Sequence, residues 1–261
     1  MKRTYVKLLT VAGLTGCFLF TSCRSAQETT ARYEISKVEG NMITIDSTWD
    51  ANPDKKATTV LKPYKDKVDA MMYEVIGTSE MKMDKGTPES LLSNLVASVL
   101  QEAAAQVLGK PADMGLVNMG GLRNILPKED ITVGAVFEIL PFENSLCVLT
   151  MKGTDMKRLF KAIASLHGEG VSGIRLEINK KGELLNATIG GKPVVDDQLY
   201  TVATIDYLAD GNGRMDAFLQ AEKRECPEDA TLRGLFLDYV RKQTAEGKII
   251  TSKLDGRITV K

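Results

Sequence analysis

Between an apolar run and a proline the chain reads Leu116-Val117-Asn118-Met119-Gly120-Gly121-Leu122-Arg123. Asn118 carries a donor and an acceptor on one short side chain, which suits the edge of a heterocycle. Arg123 offers a planar fork of donors, which suits an anion or a polyhydroxyl group. Gly120 and Gly121 lack Cβ atoms, so backbone can come close to whatever those two side chains hold. The loop follows a strand pattern over Met114–Asn118, and open α/β sheets gather their ligands at strand ends. The plain competing readings are a turn for the glycine pair, a local hydrogen bond for Asn118 and a surface ion pair for Arg123.

Metal or thiol chemistry finds little material. There is one histidine and there are four cysteines in 261 residues. His167 lies in "SLHGEGVSG" and reads as a helix-end residue. Cys147 lies in the apolar run "SLCVLTM" and reads as a small buried hydrophobe, while Cys226 precedes Pro227 in a polar loop. The two are expected to be unpaired, and with one histidine they do not make a transition-metal site. Lys+Arg and Asp+Glu are both 34, so net charge is zero and a phosphate-backbone partner such as nucleic acid is not expected.

The first residues carry an export pattern. "MKRTYVK" is a positive segment and "LLTVAGLTGCFLF" a short apolar one, as in a secretory signal. The following "FTSC" resembles a bacterial lipobox, which predicts a signal peptide over 1–22 and lipidation at Cys23. "LTGC" at Cys17 is nearer the lipobox consensus but leaves a very short apolar core. The alternative is a signal cut without lipidation. Residues 23–32 read as a polar tether, and 33–261 as one folded domain. The expected location is lipid-anchored in the cell envelope.

The elements that must position the glycine loop follow from periodicity. A hairpin is expected around Glu39-Gly40-Asn41, and a helix over about 63–73 with Pro63 near its start. "YEVIGTS" reads as a strand and Glu89–Leu108 as one helix stopped by Gly109. "ITVGAVFEIL" reads as a short helix, "SLCVLTM" as a strand and "GTDMKRLFKAIASL" as a helix capped by Thr154. "GIRLEIN", "LLNATIGGKPV" and "YTVATIDYL" read as strands, "TLRGLFLDYVRKQTAEG" as a last helix and "GRITV" as a last strand. The fold class is therefore α+β, mixed α/β, with helices layered on a mixed sheet.

These segments together carry a resemblance. "NMGGLR" followed by "LPKEDITVGAVFEILPFENSL" resembles the C-terminal domain of the 5'-nucleotidase / UDP-sugar hydrolase family. "ESLLSNLVAS", "GVSGIRLEI" and "YTVATIDYLADGNGRM" are similar to further motifs of that domain, in the same order, over about residues 64–220. The resemblance implies a nucleotide-recognition fold in which two aromatic rings sandwich the base. It assigns those rings to Phe142 and Tyr207, base contact to Asn118 and nucleotide contact to Arg123, beside Gly120 and Gly121. Taken without the resemblance, Phe142 beside Pro141 reads as core and Tyr207 as a core-capping tyrosine. In the simplest register Gly213 stands where the family has its ribose-holding aspartate, with Asn212 or Asp210 as substitutes, and Pro88 stands in place of a second arginine.

The resemblance also implies a catalytic half of metallophosphatase type, whose metal ions act as Lewis acids and generate the nucleophile. This chain lacks the histidine-rich ligand motifs of such a half. The expectation is a split enzyme: no cofactor in this chain, and divalent metal ions in a separately encoded metallophosphatase partner. The rival expectation is a lipoprotein that binds nucleosides or nucleotides without chemistry.

Overall fold

The computed structural model describes residues 34–261; the signal segment, Cys23 and the tether lie outside the described residues. The chain divides into two units, Met1–Pro53 and Asp54–Lys261. In the first, residues 34–53 are exposed throughout. They hold one 3-10 turn, Ser47–Ala51, capped by Asp46, and Trp49 Nε1 donates to the Thr44 carbonyl at 2.7 Å. The expected hairpin around Gly40 does not form. Its apolar side chains, Ile35, Val38, Met42, Ile43 and Ile45, stay exposed, and an isolated two-stranded hairpin with nothing to pack on is marginal in water.

The second unit opens with α1 (Lys55–Met72), capped by Asp54, whose side chain accepts from Ala57 N at 2.8 Å. This helix starts well before the expected position and runs through Pro63 rather than from it. A good N-cap starts the helix early, and proline then costs one backbone hydrogen bond inside it. Next come β1 (Val75–Ser79), α2 (Leu91–Ala103), the short α3 (Ala105–Leu108), β2 (Met114–Val117), β3 (Glu129–Thr132) and α4 (Val133–Ile139). They are followed by β4 (Leu146–Lys152), α5 (Gly153–Ser165), β5 (Gly170–Ser172), β6 (Ile174–Ile178), β7 (Leu184–Ile189) and β8 (Lys192–Pro193). The last elements are β9 (Leu199–Ile205), α6 (Asp206–Ala209), β10 (Lys223–Glu225), α7 (Leu232–Ala245) and β11 (Ile258–Val260).

Several local expectations are corrected. The helix expected over 89–108 is two helices, α2 capped by Ser90 and α3 ended by left-handed Gly109. Ile131 and Thr132, expected to start a helix, instead end the strand β3 that pairs with β1. Thr154 does not cap α5: Gly153 N donates to Gln198 O and Thr154 N to Asp196 O, so carbonyls from a distant loop replace a side-chain cap.

The strands form a pair β1-β3, a five-stranded sheet β10-β4-β9-β2-β5 and a four-stranded sheet β11-β6-β7-β8. The mixed sheet expected from sequence is present, since β9 runs parallel to β2 and antiparallel to β4. Helix α2 covers β2 and β5 and buries Leu92, Val96 and Leu100 completely. Helix α5 packs on β4 and β7 and buries Phe160 and Ile163 completely. Pairing direction decides where the site lies. Parallel β2 and β9 end on the same side, antiparallel β4 begins there, and β5 begins there with Gly170 opposite Val117. The segments after Val117 and Ile205, and before Leu146 and Gly170, therefore meet at one edge.

Candidate functional site

At that edge lies a cavity of about 330 Å³ lined by Asn118, Gly120, Gly121, Phe142, Asn144 and Tyr207. After β2 the chain makes a single 3-10 turn, Met119–Gly121, in which Gly121 N donates to Asn118 O at 3.0 Å. The reason for Gly121 is the Asn118 amide itself. A methyl group at position 121 would stand 3.0 Å from Asn118 Oδ1, tighter than ordinary contact, while one at 120 would stand 3.6 Å from Nδ2. Asn118 Oδ1 is buried with no hydrogen-bond partner, and among the described residues no other buried side-chain atom is in that state. Buried polar atoms are normally paired, so an orphan in a cavity wall marks a group that a ligand or water would complete.

Phe142 and Tyr207 flank this turn. They are 49% and 43% exposed, so neither is a core residue. Phe142 is held beside Arg123, whose guanidinium carbon is 5.8 Å from the ring centroid, within cation–π range. Arg123 also donates from Nη1 to Gly120 O at 3.3 Å and stays exposed beside the cavity. Tyr207 is the second residue of α6, with its backbone N–H held by Asp206 Oδ1 at 2.7 Å. The same Asp206 Oδ1 accepts from Asn144 Nδ2 at 3.0 Å, which ties the Phe142 loop to the Tyr207 helix.

Asn144 was not singled out from sequence, although it sits in the "PFEN" stretch, directly before the β4 run. Glu169 was also missed. Its carboxylate accepts the Met119 backbone N–H and so holds the glycine turn from outside the cavity. Burial pushes its pKa up to about 7, against a smaller downward pull from that N–H. The only sequence signal for it was an acidic residue between two glycines.

Asp210 and Asn212 do not join the lining. Asp210 pairs with Arg224 Nη1 at 2.7 Å, and Asn212 is exposed in the next turn. Gly213 adopts φ 65°, and a Cβ there would stand 3.1 Å from Leu208 Cδ2, so a side chain at this place requires the Leu208 tip to shift and a left-handed backbone to be held. The expected free thiols are also corrected, because Cys147 and Cys226 form a disulfide. β10 pairs antiparallel with β4, Glu225 opposite Val148, which carries Cys226 to Cys147.

The donor set does not fit a metallophosphatase centre. The chain has one histidine, and among the described residues no group of three His, Cys, Asp or Glu side chains could hold a metal ion.

Residues 75–220, more than half of the chain and the whole of this cavity, match the family model described as 5'-nucleotidase, C-terminal domain. The chain belongs to that family. This 5'-nucleotidase C-terminal domain is 27% identical over 240 residues to the cell wall protein Lmo0130 of Listeria monocytogenes, covering 81% of this chain and 30% of that protein. It is 28% identical over 188 residues to the endonuclease YhcR of Bacillus subtilis, covering 69% of this chain and 15% of that one. Among solved structures, the 5'-nucleotidase precursor of Thermus thermophilus superposes with a TM-score of 0.67 at 26% identity, covering 81% of this chain and 44% of that one. The domain thus spans less than half the length of each of these relatives.

Proposed function

We propose that this protein is the nucleotide-recognition subunit of a split, exported 5'-nucleotidase. The observation that carries the reading is the pairing of two half-exposed rings, Phe142 and Tyr207, with the orphaned Asn118 amide in one cavity. A base between the rings gains ~1–3 kcal/mol per stacked face, and Asn118 completes its hydrogen bonds on the base edge. Arg123 stands where it can meet the nucleotide's anionic part. Hydrolysis of the phosphate ester then falls to divalent metal ions in a separately encoded metallophosphatase, and this chain's contribution is positioning.

An unpartnered face supports the subunit arrangement. Helix α1 buries none of its residues and exposes Val60, Leu61, Tyr64, Val68 and Met71 at helical spacing. Such a stripe on a soluble chain is the kind of surface a partner covers. Location in the cell envelope rests on the lipobox pattern ending at Cys23 and on the name of the Listeria relative. The disulfide is consistent with an oxidising compartment.

A second reading is a binding lipoprotein without chemistry. It is favoured by Gly213, which stands where the family pattern has its ribose-holding aspartate, and by Asp210, which is paired with Arg224. Calorimetric titration of the full chain in detergent with AMP, adenosine and UDP-glucose tests both. Binding that Phe142→Ala and Tyr207→Ala each weaken by about 1–3 kcal/mol supports nucleotide recognition. Turnover of AMP only when a co-expressed metallophosphatase is added selects the split enzyme. Failure to bind any of the three, with or without that enzyme, sinks both.

A further inference from the structure

The Phe142 ring sits on an exposed loop, and a ring held in place before the ligand arrives keeps the part of its stacking energy that a freely moving one would lose to ordering. Arg233 on α7 occupies the other side of that loop. It is 8% exposed and lines no part of the cavity. Its Nη1 donates to Leu140 O at 3.1 Å, its Nη2 is paired with Glu143, and its guanidinium carbon lies 4.1 Å from the Phe137 ring centroid. These partners sit on both sides of Phe142 in sequence. Adjacent backbone repeats the grip: Leu232 N donates to Asn144 O at 2.8 Å, and Ser145 bridges Thr231.

A buried guanidinium is tolerated only while its donors are satisfied. Here the satisfying groups lie on residues 137–143. Moving the loop strands a buried charge, so Arg233 has one loop conformation that suits it. We propose that Arg233 is a positioning residue for ligand binding, clamping Leu140 and Glu143 so that the Phe142 ring is presented ready to stack. Lysine does not replace it, because a point charge cannot serve two separated acceptors and a ring face together.

The ligand part of this inference rests on the nucleotide reading above, so the test carries a readout that needs no ligand. Amide exchange over residues 140–144 is followed in the free full chain, and AMP affinity by titration, for wild type, Arg233→Lys and the surface-partner variant Glu143→Gln. The expected result is faster exchange at 140–144 with unchanged exchange in β9, and AMP binding weakened about tenfold in Arg233→Lys and less in Glu143→Gln. In a Phe142→Ala background Arg233→Lys produces no further loss, since it acts through that ring. Unchanged exchange at 140–144, or an equal loss of affinity with and without Phe142, overturns the inference. If the wild type binds none of AMP, adenosine and UDP-glucose, with or without the metallophosphatase, the nucleotide reading fails and exchange alone judges the clamp. Should Arg233→Lys not fold, Glu143→Gln alone decides by the same readouts.

Discussion

Asn118 and Gly121 are in direct contact, and the contact explains the glycine. Gly121 N donates to the Asn118 backbone carbonyl at 3.0 Å, and a methyl group on Gly121 would come to 3.0 Å of the Asn118 side-chain Oδ1. The buried amide that the cavity needs is kept in place by a missing side chain three residues further on.

Gly121→Ala therefore displaces the Asn118 amide by a few tenths of an ångström. Nucleotide affinity is expected to fall roughly tenfold, about 1.4 kcal/mol. Gly120→Ala, with 3.6 Å to the nearest amide atom, is expected to fold with normal stability. Titration and melting of both variants check this, and equal affinity in Gly121→Ala and wild type would refute the steric role.

Tyr207→Phe keeps the ring and is expected to hold AMP affinity within about threefold, whereas Tyr207→Ala loses about 1–3 kcal/mol of stacking. A large loss in Tyr207→Phe would show that the hydroxyl, not the ring, meets the ligand. Both are read by calorimetry.

Asp210→Ala removes half of an exposed ion pair with Arg224, both partners being solvent-accessible. Such pairs contribute about 0–1 kcal/mol. Stability and AMP affinity are both expected to stay near wild type; an affinity drop would return Asp210 to the site.

Reduction of the Cys147–Cys226 bond, or Cys226→Ser, opens a loop of sequence separation 79. The expected cost is about 2–4 kcal/mol, seen as a melting temperature lower by about 5–15 °C. The bond holds β10 on β4 at the sheet edge. Melting with and without reductant measures this, and matching curves would exclude a structural role for the bond.

Glu169 makes stability depend on pH. Its folded pKa is raised to about 7 from an ordinary 4.5, chiefly by burial. Its contribution is fully present below about pH 4.5 and is lost as pH rises through 7, by roughly 3 kcal/mol in all. Glu169→Gln keeps an acceptor for Met119 N–H and has no charge to bury. The variant is expected to be flatter across that window and more stable than wild type at pH 8. Parallel stability curves for the two proteins would reject this.

Local features are legible in the chain alone. Apolar periodicity marks α2, α5 and α7, turn chemistry marks the Gly109 stop and the glycine loop, and motif order marks the family. All depend on neighbours a few residues apart, where propensity and spacing speak directly. The long-range meetings belong to the folded chain. Cys147 meets Cys226 because β10 registers with β4, Asn144 meets Asp206 because β4 and β9 are antiparallel, and Arg233 meets Glu143 across a separation of 90 residues. Asp210 meets Arg224 for the same reason, since Arg224 arrives on β10. Pairings at such range are set by strand direction and register, and a one-residue slip would turn every side chain to the other face.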